Sequence, residues 1–206
     1  MIGSTLAAAA PVAGSALPAM TRDAQAIALI GLYRSYRDAG AEAWLDTRGV
    51  SMRPLVGPGG RMLVQFGASP SRIGEIVVFE RYGGIVAHRL VGRRSRDGRE
   101  QLIVKGDAEA YFDPPIGPED VLGVVRGVVR DPVGPVRRQG LDGHAARLIA
   151  GVSRWTGRGA RLAHRGAVHS PGPIRRSALR AIPALARVPT RLIMAPITHN
   201  PGAERR

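Results

Sequence analysis

Three short stretches hold side chains that together could hydrolyse a peptide bond. Ser51 stands in Gly49-Val50-Ser51-Met52-Arg53-Pro54, and His88 in Val86-Ala87-His88-Arg89-Leu90. Asp107 and Asp113 follow in Lys105-Gly106-Asp107-Ala108-Glu109-Ala110-Tyr111-Phe112-Asp113-Pro114. A serine hydroxyl is a weak nucleophile until a base touches it, and neutral imidazole is well suited to take its proton near neutral pH. A carboxylate behind the imidazole fixes its tautomer and stabilises the imidazolium. Each residue alone also has a plainer reading. Ser51 reads as a solvated or capping loop serine, His88 as a hydrogen-bonded core histidine, and the acids as members of a surface turn. Gly49 lets backbone approach Ser51, Pro54 holds the next turn, and Asp113, preceding proline, is biased toward extended backbone.

The elements that must position these groups are legible from periodicity. Residues 1–21 read as a disordered leader rather than a secretory signal, because the small-residue run lacks a basic start and Pro11 and Pro18 interrupt it. Ile27, Leu29, Ile30 and Tyr33 recur at helical spacing and predict an amphipathic helix over 22–43, ended near Gly40. RMLVQF (61–66), EIVVFER (75–81), GIVAHRLVG (84–92), EQLIVK (100–105) and VLGVVRGVV (121–129) are Val- and Ile-rich and of strand length. Tyr82-Gly83-Gly84 and Asp97-Gly98 supply hairpin turns between them. Residues 44–136 are therefore expected to form a small, mainly antiparallel β domain. By period 2, His88 shares a face with Val86 and Leu90. Residues 137–206 predict two or three short basic amphipathic helices joined by loops, with the last ten residues frayed.

Composition excludes several chemistries. There is no cysteine, so disulfides, zinc ribbons and thiol catalysis drop out together. His144, His164, His169 and His199 lie in the arginine-rich end without a paired serine or carboxylate, and the glycines at 57, 59 and 60 lack the Lys-Ser/Thr of a P-loop. No metal site or cofactor is assigned. Lys105 is the single lysine, which leaves one candidate for any lysine base. The net charge of +14 is uneven: residues 1–136 carry +2, and residues 137–206 carry 14 arginines against Asp142 and Glu204. Such a tail favours a phosphate-rich partner, with an anionic membrane surface expected over nucleic acid. No apolar run reaches the roughly 18 residues of a membrane span, so the expected location is cytoplasmic or peripheral to a membrane.

In order and at these intervals, GVSMRP, GEIVVF, VAHRL, VKGDA and VLGVV resemble the signal peptidase I superfamily of serine endopeptidases, over roughly Trp44 to Val129. Where common bacterial members carry Lys-Arg, this chain carries His88-Arg89, similar to the endoplasmic-reticulum, archaeal and sporulation-type enzymes. The resemblance implies the β fold shared by signal peptidases and self-cleaving repressor peptidases. It implies Ser51 as nucleophile, His88 as general base and Asp113 as the acid completing a triad. Asp107 matches a second, structural acid that binds nearby backbone or Arg89. The chain departs from the pattern in lacking a hydrophobic anchor before the serine and in having Gly60 where relatives place an acidic residue. Gly49 stands where several relatives place a hydroxyl that assists the oxyanion. Losing one such donor costs about 10²–10³ in rate, which implies a slow enzyme.

The resemblance thus implies cleavage of a precursor or leader peptide after a small residue. Two other functions share the architecture: a self-cleaving or DNA-associated regulator, and a non-catalytic binding domain. The regulator would need a lysine base and an N-terminal DNA-binding module, where residues 1–43 supply one helix. The binding domain would leave Ser51 unreactive.

Overall fold

The computed structural model describes residues 21–81, 83–130, 143–168, 177 and 179–183. Six strands form one antiparallel sheet: β1 (Glu42–Asp46), β2 (Arg61–Phe66), β3 (Ile76–Arg81), β4 (Gly84–Arg96), β5 (Arg99–Lys105) and β6 (Val121–Val129). Their order across the sheet is β1-β2-β6-β3-β4-β5. Helix α1 (Arg22–Asp38) precedes the sheet and α2 (Gly143–Val168) follows it. The mainly β domain with flanking helices agrees with the patterning of the sequence.

Side-chain alternation explains why β3 reads as an unbroken apolar run. Ile76 and Val78 enter one core cluster, with Met62, Val64 and Phe66 of β2, while Val77 and Phe79 enter a second, with Leu90, Leu102 and Val104. A strand buried on both faces has no polar side to alternate with. Register shifts opposite β6 sit beside Arg126 and Leu122, and they let that strand feed both clusters.

Two turns follow their residue chemistry. Asp97 and Gly98 have φ of 53° and 72° between the paired Arg96 and Arg99, as a two-residue hairpin turn requires. Arg81 pairs with Gly84 across the other hairpin; Gly83 has φ of 68°, and Tyr82 lies outside the described residues.

The helix expected over 22–43 is shorter. Thr21 caps it, accepting from the Ala24 N–H at 3.3 Å, and Gly40 at φ 61° turns the chain away after Asp38. Glu42 and Ala43 belong to β1, so the sheet begins two residues before the expected boundary at 44. Three exposed and two half-buried residues on a sheet edge give no apolar run, which is why EAWLD carries no strand signal. Tyr33 stacks on Phe66 at 5.6 Å and Tyr36 meets the same ring edge-on at 5.5 Å, fixing α1 to β2.

The C-terminal segment also differs. Gly143–Val168 is one helix of 26 residues, longer than the short helices expected, and residues 177 and 179–183 are helical as well. Gly151, Gly159 and Gly166 point into open space, while a side chain at Gly157 would strike the Phe112 ring at 2.6 Å. Each glycine costs about 0.5–1 kcal/mol relative to alanine. The face of Ala146, Ile149, Ala150 and Ala160 is buried and holds the helix despite them. Of the disordered leader expected over 1–21 only Thr21 is described, and the fraying expected of the last ten residues falls outside the described residues.

Candidate active site

Ser51 sits in the loop between β1 and β2. Thr47 anchors this loop at its base: its N–H and its hydroxyl both donate to Gly60 O, at 2.8 and 2.9 Å, and the hydroxyl also reaches Gly57 O. Met52, Leu55 and Val56 bury themselves in the first core cluster beneath it. The serine is thereby held at the rim of the core with its side chain half-buried. Its carbonyl accepts the Ala108 N–H at 2.7 Å, which ties the serine loop to the turn after β5.

His88 lies in β4 on the face of Val86 and Leu90, as period 2 requires, and is 7% exposed. Its ring meets Phe79 edge-on at 6.1 Å. Nδ1 lies 2.6 Å from Asp113 Oδ2. Asp113 is itself positioned by backbone: its N–H donates to Val104 O at 3.0 Å, and three residues on Ile116 bridges to Leu102. The segment after the acid therefore runs along β5. Arg81 donates to Pro114 O at 2.7 Å and holds the Asp-Pro corner from the other side.

With Nδ1 engaged by Asp113, Nε2 points toward the serine loop. The place where a Cβ on Gly106 would stand is 3.0 Å from His88 Nε2 and 2.9 Å from Ser51 O. Ser51, His88 and Asp113 all line one pocket of about 680 Å³. Ser51 Oγ makes no direct hydrogen bond to His88. The His88–Asp113 pair is formed, and Ser51 shares its pocket.

Arg89 and Asp107 lie outside that pocket and form its frame. Arg89 Nε and Nη2 each donate to Asp107 at 2.8 Å, and Nη1 donates to Gly74 O at 2.6 Å. Lys105 is fully buried, with Nζ 3.3 Å from Gly106 O, and does not line the pocket. The alternative expected for Asp107, binding backbone or Arg89, resolves to Arg89. At Gly49 an added Cβ would lie 4.0 Å from Ser51 Oγ. The glycine leaves room for a side chain beside Ser51 and supplies none.

Glu109 was not singled out by its sequence context. It lines the pocket, and its Cγ lies 2.8 Å from the same Gly106 position that approaches His88 Nε2. Its signal was the Gly106-to-Glu109 turn, closed by the Glu109 N–H to Gly106 O bond at 3.0 Å. The apolar walls were also unforeseen: Leu29 and Tyr33 come from α1, Trp44 and Leu45 from β1. Burial pushes the Tyr33 hydroxyl pKa above its ordinary value, helped by Tyr36 and Asp46 and opposed by Arg48. Among the described residues no group of three His, Asp or Glu side chains is placed to hold a metal, and no helix is long and apolar enough to cross a membrane. No protein-family model matches the chain, and no match was found among curated proteins.

Proposed function

We propose that this chain is a serine endopeptidase of signal-peptidase type that cuts a precursor or leader peptide. The single observation that supports this most is the Asp113–His88 pair, with the second imidazole nitrogen directed at the loop carrying Ser51. A buried histidine serving only packing needs neither a carboxylate on Nδ1 nor a solvent pocket at Nε2.

In this reading an extended peptide adds along β1, the edge strand whose Trp44, Leu45 and Asp46 line the pocket. Leu29, Tyr33 and Val86 receive its apolar side chains. Ser51 Oγ closes on Nε2 as substrate arrives, in keeping with contacts that tighten only in the complex. Oγ attacks the scissile carbonyl while its proton passes to Nε2, and Asp113 stabilises the imidazolium. The C–N bond breaks as the amine takes that proton. Water, deprotonated by His88, then hydrolyses the acyl-serine. The preference for a small residue before the cut rests on the family resemblance.

The placement of Lys105 outside the pocket favours His88 over lysine as base. The full chain should label with a fluorophosphonate probe and cleave a peptide library at a defined bond. Both activities should vanish in Ser51→Ala, and cleavage should collapse in His88→Ala. Labelling and cleavage that survive in both variants would remove the proposal; an unreactive wild-type serine would favour the binding-domain reading.

A further inference from the structure

Helix α2 presents two unlike stripes to solvent. Leu148, Trp155 and Leu162 recur every seven residues and are 65%, 74% and 67% exposed. Seven residues are close to two full turns, so the three side chains form one ridge along the helix. Arg147, Arg154, Arg158 and Arg165, also exposed, fall on an adjoining stripe, and Gly143–Val168 contains no acidic residue. The opposite face is the buried one, so the ridge is the outermost line of the helix.

We propose that this face of α2 docks on an anionic lipid bilayer, lying in the interface with the Leu-Trp-Leu ridge inserted and the arginines at the lipid phosphates. A basic stripe beside an apolar ridge with a central tryptophan is the arrangement an interfacial helix needs. Tryptophan is suited to the headgroup level, and each nearby arginine gains from the negative surface potential. A second copy of the helix is a poor occupant, because pairing ridge to ridge would bring two arginine stripes together without an acid between them. A nucleic acid would use the arginines but leave three large apolar side chains in water. Packing of the opposite, buried side ties the helix to the candidate site: Gly157 lies under the Phe112 ring, Arg161 lies over it at 4.6 Å, and Phe112 precedes Asp113. Docking does not depend on Ser51 being reactive.

The test uses the full chain with vesicles of phosphatidylcholine alone and of phosphatidylcholine with phosphatidylglycerol. The chain should sediment with the anionic vesicles and lose that binding as salt rises. Leu148→Ser/Trp155→Ser/Leu162→Ser should lower the partition coefficient at least about tenfold, as should Arg147→Gln/Arg154→Gln/Arg158→Gln. In a Trp44→Phe background, Trp155 emission should shift to the blue on anionic vesicles, a readout in a chain whose ridge is intact. Several outcomes would overturn the proposal: no binding to anionic vesicles, an unshifted Trp155, ridge-variant binding equal to wild type, duplex DNA binding that the ridge variant keeps while vesicles fail to compete, or a ridge-dependent dimer in their absence.

Discussion

Arg89 and Asp107 meet through two hydrogen bonds of 2.8 Å with neither side chain reaching solvent. One partner follows His88 in β4, and the other follows Gly106 in the turn that contacts the serine loop. The pair therefore fastens together the segments that carry His88 and contact the Ser51 loop, the proposed base and nucleophile. Removing one partner leaves an uncompensated buried charge, whereas a surface pair has water to fall back on. Asp107→Asn and Arg89→Met should each destabilise the fold by about 3–5 kcal/mol in urea unfolding. Arg34→Ala breaks the Arg34–Glu80 bridge, whose arginine is 55% exposed, and should change stability by about 0–1 kcal/mol. Equal costs at the two sites would contradict the buried-clamp assignment.

Asp113 should matter to rate and little to stability. Its carboxylate touches His88 Nδ1, while its backbone, not its side chain, holds the chain against β5. Asp113→Asn preserves size but inverts the hydrogen-bonding demand on the imidazole. We expect kcat to fall about 10²–10⁴-fold with KM changed far less, and thermal unfolding near wild type. A kcat within about twofold of wild type would detach Asp113 from the triad.

Gly106 has an ordinary φ, so its importance is spatial. A methyl group there would stand 2.8 Å from Glu109 Cγ, 2.9 Å from Ser51 O and 3.0 Å from His88 Nε2. The glutamate can swing aside, but the serine carbonyl is fixed by Ala108 and the ring by Asp113. Gly106→Ala should therefore push the Ser51 loop away from His88, the proposed nucleophile and base. An ångström of misplacement costs about 10² in rate, and the variant should lose that much kcat/KM. Overpacking at one methyl should cost only about 1–3 kcal/mol in stability. Unchanged turnover in Gly106→Ala would mean that the loop and base need not approach across this point.

Local signals carried much of this architecture, and their failures have physical causes. The RMLVQF and VLGVVRGVV segments coincide with β2 and β6, because Val-rich strands buried on one or both faces announce themselves in composition. The Asp97-Gly98 turn was legible because its residues tolerate positive φ. The continuity of α2 was not, since glycines lower local helix propensity and only packing against the sheet and Phe112 restores it. At the site, residue types pointed to Ser51, His88 and Asp113, but period 2 could say only which face His88 takes. Which acid meets the imidazole depends on how residues 106–116 wrap along β5, a tertiary matter that left Glu109 and the walls from α1 unmarked.

Tyr33 connects that wall to pH. Tyr33 lines the pocket, and burial raises its hydroxyl pKa from the ordinary value of 10.0, with Tyr36 and Asp46 adding to the shift and Arg48 opposing it. The raised value means the folded state holds the phenolic proton after the unfolded chain has released its own. Tyr33 thus contributes stability fully below the unfolded value, and the contribution is lost as pH climbs from there through the folded pKa. Ultraviolet titration of the native chain should show Tyr33 ionising above the ordinary range, a step that Tyr33→Phe should abolish. The same variant should unfold less steeply with alkali beyond about pH 10. If the late-ionising tyrosine persists in Tyr33→Phe, the shift belongs to another ring and the packing of α1 over the pocket needs a different account.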